Sequence, residues 1–385
     1  MSRGFKKFLH AVKEFFKKIM FHTFPGYRIG KMNQREIASV KNTLMTELRQ
    51  LDRKYEEMFW YQYKDRTETV LEAKQRYFYE LPRAEGAMRE WQLKLAWMLK
   101  RLKDICDENN IKFFLEGGSL LGAVRHKGFI PWDDDIDLNM MKEDMDILKE
   151  ALKDDEIFSF RYKYNYYLGC IVPGIELKDG SEGWIDIFPM VTIGCTKYDR
   201  SELEHEINTR SKAMRKYLRD NLPLPADGNC LVDMAETDNS DVQLVMKTMD
   251  EYIEKIHNEL SDTDEQIYCY RSIVAHNSPG GCNVFYLKDI VPFSTETFEN
   301  TEYYVPHDPT NWLSTYYGDF YHITLWKQGK HFSEKDIKKK LPDKEAAEDA
   351  EDAKEAKEAK EAEEVKEVKE VKETEGAKED INTQE

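Results

Sequence analysis

The most constraining feature of this chain is a strand-like segment that ends at a glycine–serine break, with an acidic run close behind it. Residues 111–116, Ile-Lys-Phe-Phe-Leu-Glu, are short, apolar and aromatic, which predicts a buried β-strand. The break predicts a turn into a helix that begins near Leu120. Glycine lets a phosphate approach the backbone, and free N–H groups at a helix start favour anions. The candidate phosphate-binding residues are therefore Gly117, Gly118 and Ser119, with an ordinary tight turn as the alternative.

The acidic run that follows predicts a second strand. From Asp135 onward polar and apolar residues alternate, which places Asp135 and Asp137 on one face. The opposite face, which should pack in the core, carries Ile136, Leu138 and Met140. Carboxylates about 7 Å apart along a strand can converge on one cation, and such oxygen ligands suit Mg²⁺ or Mn²⁺. A solvated acidic loop is the alternative, but carboxylates held beside a core repel each other unless a cation or a base neutralises them.

A third acid lies within an apolar segment, residues 183–189, Gly-Trp-Ile-Asp-Ile-Phe-Pro. Alternation predicts that Asp186 lies on the face opposite to Ile185 and Ile187. Asp186 is therefore a candidate third metal ligand or general base. The alternative is an aspartate at a strand edge that makes a local hydrogen bond to the backbone.

Three basic residues lie between the glycine–serine break and the acidic strand. Arg125 could hold a phosphate through two parallel hydrogen bonds, and Lys127 could supply a point charge. A solvated basic loop is an equally good interpretation for each of them. His126 has no Cys or His at a metal-ligand spacing, so no metal role is assigned to it.

The unbroken block from Glu116 to Asp137 resembles the LicD family of phosphocholine transferases, to which the fukutin-related proteins are also similar. Residues 184–189 and the segments 298–306 and 312–320 look like further pieces of the same family pattern. The resemblance covers roughly residues 90–325. It implies a nucleotidyltransferase-like α/β (α+β) fold, in which a mixed sheet is flanked by helices.

The resemblance also implies an activity and a set of roles. Asp135, Asp137 and Asp186 would be metal ligands and catalytic acids, with Mg²⁺ or Mn²⁺ as the cofactor, and the glycine–serine turn would hold phosphates. The reaction implied is transfer of phosphocholine, or a similar phospho-alcohol, from a CDP-choline-like donor to a sugar hydroxyl. The acceptor would be a glycan or lipid-linked glycan such as teichoic acid, lipopolysaccharide or capsule.

Length and charge divide the 385 residues into four predicted segments. These are a basic amphipathic helix at 1–31, a helical hairpin or coiled-coil extension at 32–103, a catalytic domain at 104–332 and a low-complexity tail at 333–385. Residues 341–385 contain 18 acids and 8 bases, so −10 of the net charge of −17 lies there, which predicts a solvated tail. No Cys-x-x-Cys pair occurs among the six cysteines, so zinc is not expected.

The amino terminus predicts contact with a membrane surface. Residues 1–31 carry eight Lys or Arg and one Glu, a balance of +7, and apolar side chains recur at helical spacing within residues 5–20. Lysines interrupt every apolar stretch, which argues against a signal peptide or a span and favours a helix on an anionic leaflet. The protein is then expected in the cytoplasm, peripheral on the inner membrane face. A helix packed on its own domain is the alternative.

Two other functions compete with phospho-alcohol transfer. The same fold could move a whole nucleotide, with pyrophosphate as the product instead of cytidine monophosphate. A non-catalytic, membrane-associated scaffold is the second alternative, although all three acids expected of an enzyme are present. Nucleic-acid binding is not expected, because no basic patch with interleaved aromatic residues occurs outside the amino-terminal segment.

Overall fold

A computed structural model describes residues 34–165, 170–222, 231–233, 240–271 and 284–322, together with residues 337 and 341. The predicted membrane-binding helix and nearly all of the predicted tail lie outside these residues. The helices are α1 Gln34–Tyr63, α2 Val70–Tyr79, α3 Gly86–Glu108, α4 Gly117–His126, α5 Lys142–Ala151, α6 Arg200–Asn221, α7 Ser240–Leu260 and α8 Pro309–Tyr317. The strands are β1 Phe113–Glu116, β2 Asp137–Met141, β3 Phe158–Asn165, β4 Cys170–Leu177, β5 Trp184–Ile193, β6 Leu231–Asp233, β7 Tyr268–Arg271, β8 Val284–Tyr286, β9 Ser294–Phe298 and β10 Thr301–Val305.

The chain divides into two compact units, residues 1–73 and 74–385. In the first unit, α1 is a helix of 30 residues that lies within the segment 32–103, for which a helical hairpin or coiled-coil extension is predicted. The second unit contains a mixed eight-stranded sheet and a two-stranded hairpin of β9 and β10. No helix in the described part of the chain is long and apolar enough to cross a bilayer.

The sheet confirms the predicted mixed α/β class and is organised around β5. Its main order is β1-β2-β5-β4-β3-β6, and the second half of β5 also pairs with β7, which pairs with β8. Strands β2 and β5 are parallel, whereas the other pairs are antiparallel. β5 can be central because Ile185 and Ile187 are fully buried, as their alternation with Asp186 predicts.

The two elements that carry the acidic motif differ from the prediction at their ends. Helix α4 begins at Gly117, three residues before the predicted start at Leu120, because Gly117 has φ +54° and turns the chain at once. Strand β2 begins at Asp137, so Asp135 lies in the loop before it. The predicted core face is confirmed, since all three of its aliphatic side chains are fully buried: Ile136, Leu138 and Met140.

After β5 the chain continues with α6, β6, α7, β7 and β8. Helices α6 and α7 pack with β5, β7 and β8 around an apolar cluster. The short strand β6 pairs with β3 at the edge of the main sheet order.

Helix α3 fastens the acidic loop to the core through two polar side chains. Trp91 donates its Nε1–H to the carbonyl of Asp134 at 2.8 Å. Gln92, only 1% exposed, donates to the carbonyls of Ile130 at 3.2 Å and Asp133 at 2.9 Å. Since buried carbonyls are costly when unpaired, these bonds fix the loop that precedes β2.

We therefore expect Gln92→Leu to lower the free energy of unfolding by about 2 kcal/mol, because one buried and one part-buried carbonyl oxygen lose their donor. Urea unfolding followed by circular dichroism measures this change. Leu93→Ala is the matched control, since Leu93 is 50% exposed on the next position of the same helix. Equal stability of the two variants would show that Gln92 does not hold the loop.

Candidate active site

Three acids stand side by side across neighbouring strands at the start of α4. Asp137 of β2 is the register partner of Glu116 on β1 and of Asp186 on β5. Register partners project from the same face of a sheet, so the three carboxylates form one row. The parallel pairing of β2 and β5 thus brings together two of the predicted acids that are 49 residues apart in sequence.

The outer members of this row have cationic partners. Glu116 forms an ion pair with Arg271 of β7 and also accepts hydrogen bonds from Asn139 and, at 2.8 Å, from Trp312 Nε1. Asp186 forms an ion pair with Arg161 of β3, with 2.5 Å between Nη2 and Oδ1. Both arginines are almost fully buried, so the surrounding packing fixes each guanidinium beside its carboxylate.

Asp137, between them, has no ion pair among the described residues. Burial is the first cause that raises the pKa of its carboxyl group well above the ordinary value. Neighbouring carboxylates add to the rise, in the order Asp135, Asp186, Glu116 and Asp133. A raised carboxyl pKa among several other acids is characteristic of functional sites, and a bound cation would offset this negative charge.

The carboxylates do not form a complete metal cage as they stand. No group of three His, Cys, Asp or Glu side chains in the described ranges is arranged to hold a metal ion. Asp186, the third predicted ligand, is paired with Arg161. The residues nevertheless suit a divalent cation, because the excess negative charge around Asp137 is what such an ion would offset.

The glycines at the start of α4 make room for acidic side chains. A Cβ atom on Gly117 would lie 2.9 Å from Asp137 Oδ2, and one on Gly118 would lie 2.4 Å from Asp133 Oδ2. The hydroxyl of Ser119 accepts the backbone N–H of Asp137 at 3.1 Å. These residues therefore join the helix start to the acidic strand, and the N–H groups of the first turn lie beside the acids.

The structure does not bring the two predicted basic residues to the row of acids. Arg125 is buried, stacks on Phe78 at 4.2 Å and donates to the carbonyl of Phe320 at 2.6 Å. Lys127 lies at the C-terminal end of α4 and pairs with Glu296 at 2.5 Å. Neither contact involves the acidic row, so the phosphate role predicted for these two side chains has no support from their packing.

Sequence reasoning missed the residues that support the row. Arg161 reaches Asp186 across Gly174, because Gly174 is the register partner of both and has no side chain in the way. A Cβ atom on Gly174 would lie 3.3 Å from Arg161 Nε and 2.4 Å from the carbonyl oxygen of Ile185. Only the strand register reveals this relation, because the intervening sequence carries no motif.

The late part of the chain contributes an aromatic shell around Arg271. Its guanidinium lies 4.8 Å from the ring of Phe188 and 5.2 Å from that of Tyr316. Trp312 stacks on Phe285, with 3.8 Å between ring centroids, and carries the N–H that Glu116 accepts. Loss of hydration, and then the charges of the nearby acids, raise the pKa of Tyr317, which places this helix end beside the row.

Comparison with known proteins identifies the part of the chain that holds this row. Residues 110–224 match the LicD/FKTN/FKRP nucleotidyltransferase domain. A stretch of 57 residues is 47% identical to the lipopolysaccharide cholinephosphotransferase LicD of Haemophilus influenzae and covers 15% of this chain and 22% of that protein. A stretch of 41 residues is 49% identical to human ribitol 5-phosphate transferase FKRP and covers 11% of this chain and 8% of that protein.

An uncharacterised protein of Rickettsia typhi is 41% identical over 79 residues, which is 20% of this chain and 26% of that protein. All three alignments cover well under two thirds of the relatives' own length. The matched family domain contains β1, α4, β2 and β5, and with them the three acids of the row. Residues 110–224, the part of the chain that holds the row, are thus similar to the LicD/FKTN/FKRP nucleotidyltransferase domain.

Proposed function

We propose that this protein transfers a phospho-alcohol from a nucleotide-activated donor to a sugar hydroxyl. The single observation that carries the proposal is Asp137, a half-buried acid with a raised pKa and no ion pair among the described residues, which stands between two acids that each have an arginine. Relatives named as a cholinephosphotransferase and a ribitol 5-phosphate transferase support this class of reaction. Phosphocholine from CDP-choline is the donor group that we propose to test first.

Asp135 and Asp137 would hold a divalent cation, Mg²⁺ or Mn²⁺, and Asp186 would complete the set when it leaves Arg161. Such an ion, when bound, offsets the negative charge of a diphosphate and helps to orient it. In this proposal the backbone N–H groups at Gly117–Ser119, at the start of the helix, would donate to phosphate oxygens. Asp186 would accept the proton of the attacking sugar hydroxyl.

Arg161 gives Asp186 a defined position. In the ion pair, Arg161 holds Asp186 beside Asp137 without a metal ion. Carboxylates that face each other without such a partner would repel. Arg161 is therefore a positioning residue in this proposal, and it keeps the third acid in place before donor and metal arrive.

The first test is product analysis. The protein is incubated with Mg²⁺ and CDP-choline, or with CDP-ribitol, in the presence of candidate glycan acceptors, and cytidine monophosphate is measured. We expect acceptor-dependent release, and Asp137→Ala should reduce the rate at least about 100-fold, because charge on the diphosphate is no longer offset.

Asp154→Ala is the matched control, since Asp154 is exposed and away from the row, and it should retain the wild-type rate. Release of pyrophosphate instead of cytidine monophosphate would assign nucleotide transfer. Equal turnover by wild type and Asp137→Ala would contradict the site.

The second test measures stability without any substrate. Because the folded chain holds the Asp137 proton more tightly than the unfolded chain, its free energy of unfolding falls as the pH rises above the ordinary carboxyl range. Asp137→Asn removes this penalty, so in the presence of a chelator the variant should have a higher Tm than wild type near neutral pH. The gap between the two should close as the pH falls towards about 4.

Addition of Mg²⁺ or Mn²⁺ should raise the Tm of the wild type by several degrees and leave that of Asp137→Asn unchanged, because the ion binds only the folded state. Asp154→Asn serves as the control and should respond to the ions as the wild type does. An identical response of all three proteins would place the cation elsewhere.

A further inference from the structure

A polar cleft of about 570 Å³ lies at the C-terminal end of α4, away from the helix start that adjoins the acids. His126 lies nine positions after Gly117 in this helix, which corresponds to about 14 Å along the axis. The cleft is of the size that holds a small molecule or a sugar unit. The residues that line it include Tyr79, Arg83, His126, Lys127, Thr297 and Asn300.

The cleft is built from two backbone turns held against each other. Lys127, which ends α4, has φ +57°, and its carbonyl accepts the N–H of Glu299 at 3.3 Å. Glu299 and Asn300 have φ +48° and +67° and form the two-residue turn between β9 and β10, the combination typical of a type I′ hairpin. Left-handed backbone at residues other than glycine persists only where the surroundings enforce it, and such positions cluster at functional sites.

The charges around the cleft are paired, so it is not an anion site. Glu299 accepts from Arg83 at 2.5 Å and from both terminal nitrogens of Arg89 at 2.9 and 2.6 Å. Burial opposes ionisation of Glu299, but the bonds from Arg89 and the Phe129 N–H and the charge of Arg83 together lower its pKa. Lys127 is paired with Glu296 in the same way. A phosphate would have to break these pairs, whereas a neutral hydroxyl can donate to the acids and accept from the bases.

His126 adds a polar group that the fold leaves unsatisfied. Its ring lines the cleft and is 91% buried, and its Nε2 atom has no hydrogen-bond partner among the described residues. Burial, and then the charge of Arg125, lower the pKa of His126 to about 3, so the ring is neutral. Arg125 Nε lies 3.5 Å from Nδ1, which leaves the ring proton on Nε2. Buried donors are normally paired, so His126 is a residue of the cleft lining with hydrogen-bonding capacity that the described residues do not use.

The cleft also offers flat apolar surface. Tyr79 is 64% exposed at its edge, and Phe129 and Pro131 line it on the loop after α4. Two residues beyond Pro131, the carboxylate of Asp133 lies against Gly118 at the helix start. One short loop therefore connects the cleft to the row of acids.

We propose that this cleft binds a neutral sugar unit of the acceptor glycan, a few units away from the sugar whose hydroxyl reacts. This inference rests on the proposed function, because it assumes that the acceptor is a glycan. Paired charges, hydroxyl and amide groups, an unsatisfied imidazole and an exposed aromatic face together suit a polyhydroxylated ring. The helix length between cleft and acids is a distance that a short oligosaccharide spans.

Direct binding is the first arm of the test. Chelator-treated protein without donor is applied to a printed array of neutral mono- to tetrasaccharides, and the sugars that bind are titrated by calorimetry. We expect binding that weakens at least tenfold in Thr297→Trp, which fills the cleft, and in Tyr79→Ala, which removes the aromatic face. Failure of the wild type to bind any sugar on the array would overturn the proposal.

Two variants serve as matched controls, and both should bind like the wild type. Thr295→Trp places the same side chain on the same face of β9, two residues from Thr297 and outside the cleft. Tyr217→Ala removes a tyrosine that is 49% exposed on α6. Undiminished binding by Thr297→Trp would also overturn the proposal, and a melting curve for each variant separates lost binding from lost folding.

Kinetics form the second arm. With a glycan that binds, Thr297→Trp should raise the KM for that acceptor at least tenfold and leave kcat and the slow hydrolysis of the donor unchanged. A fall in kcat with an unchanged KM would overturn the subsite. If the wild type releases no cytidine monophosphate with any donor and acceptor tested, the proposed function fails, and the array with its controls still decides whether the cleft binds sugars.

Discussion

Electrostatic repulsion among carboxylates is the constraint around which the catalytic unit is arranged. Glu116, Asp137 and Asp186 stand in one row because their strands are in register, and adjacent carboxylates that are withdrawn from water are unfavourable unless their charge is offset. The fold supplies Arg271 to one end and Arg161 to the other. The central acid, Asp137, has no ion pair in the described structure. Its pKa is raised by loss of hydration and by repulsion from the neighbouring carboxylates.

Arg161 and Arg271 lie on strands without an acidic motif, yet both form ion pairs with acids of the row. Arg161 lies on β3 and reaches its partner only because Gly174 leaves a gap on the strand between them. Arg271 lies on β7 and is enclosed by aromatic rings from β5 and α8. Removal of either cation would leave an acid of the row uncompensated, so the distant strands contribute to the chemistry by controlling charge.

Helix α4 has different surroundings at its two ends. Its first turn adjoins the acids, where glycines leave space for carboxylates, and its last residue forms one wall of the polar cleft. The loop from Gly128 to Asp134 returns the chain from the cleft to the acids and is fixed by Trp91 and Gln92 of α3. A ligand in the cleft would therefore contact the same rigid segment that positions the acidic strand.

Local pattern determined much of this architecture. Alternation of polar and apolar residues predicted the strands around Asp137 and Asp186 and their buried faces. The glycine–serine break predicted the helix that precedes them. Both signals are local, because periodicity and backbone freedom are properties of neighbouring residues. Local pattern placed the start of that helix three residues too late and did not reveal that Arg125 and Lys127 contact Phe320 and Glu296. Only tertiary structure decided the row of acids, the pairing of Arg161 and Arg271, and the cleft at His126. These depend on strand register and on contacts between residues far apart in sequence, which no local pattern encodes.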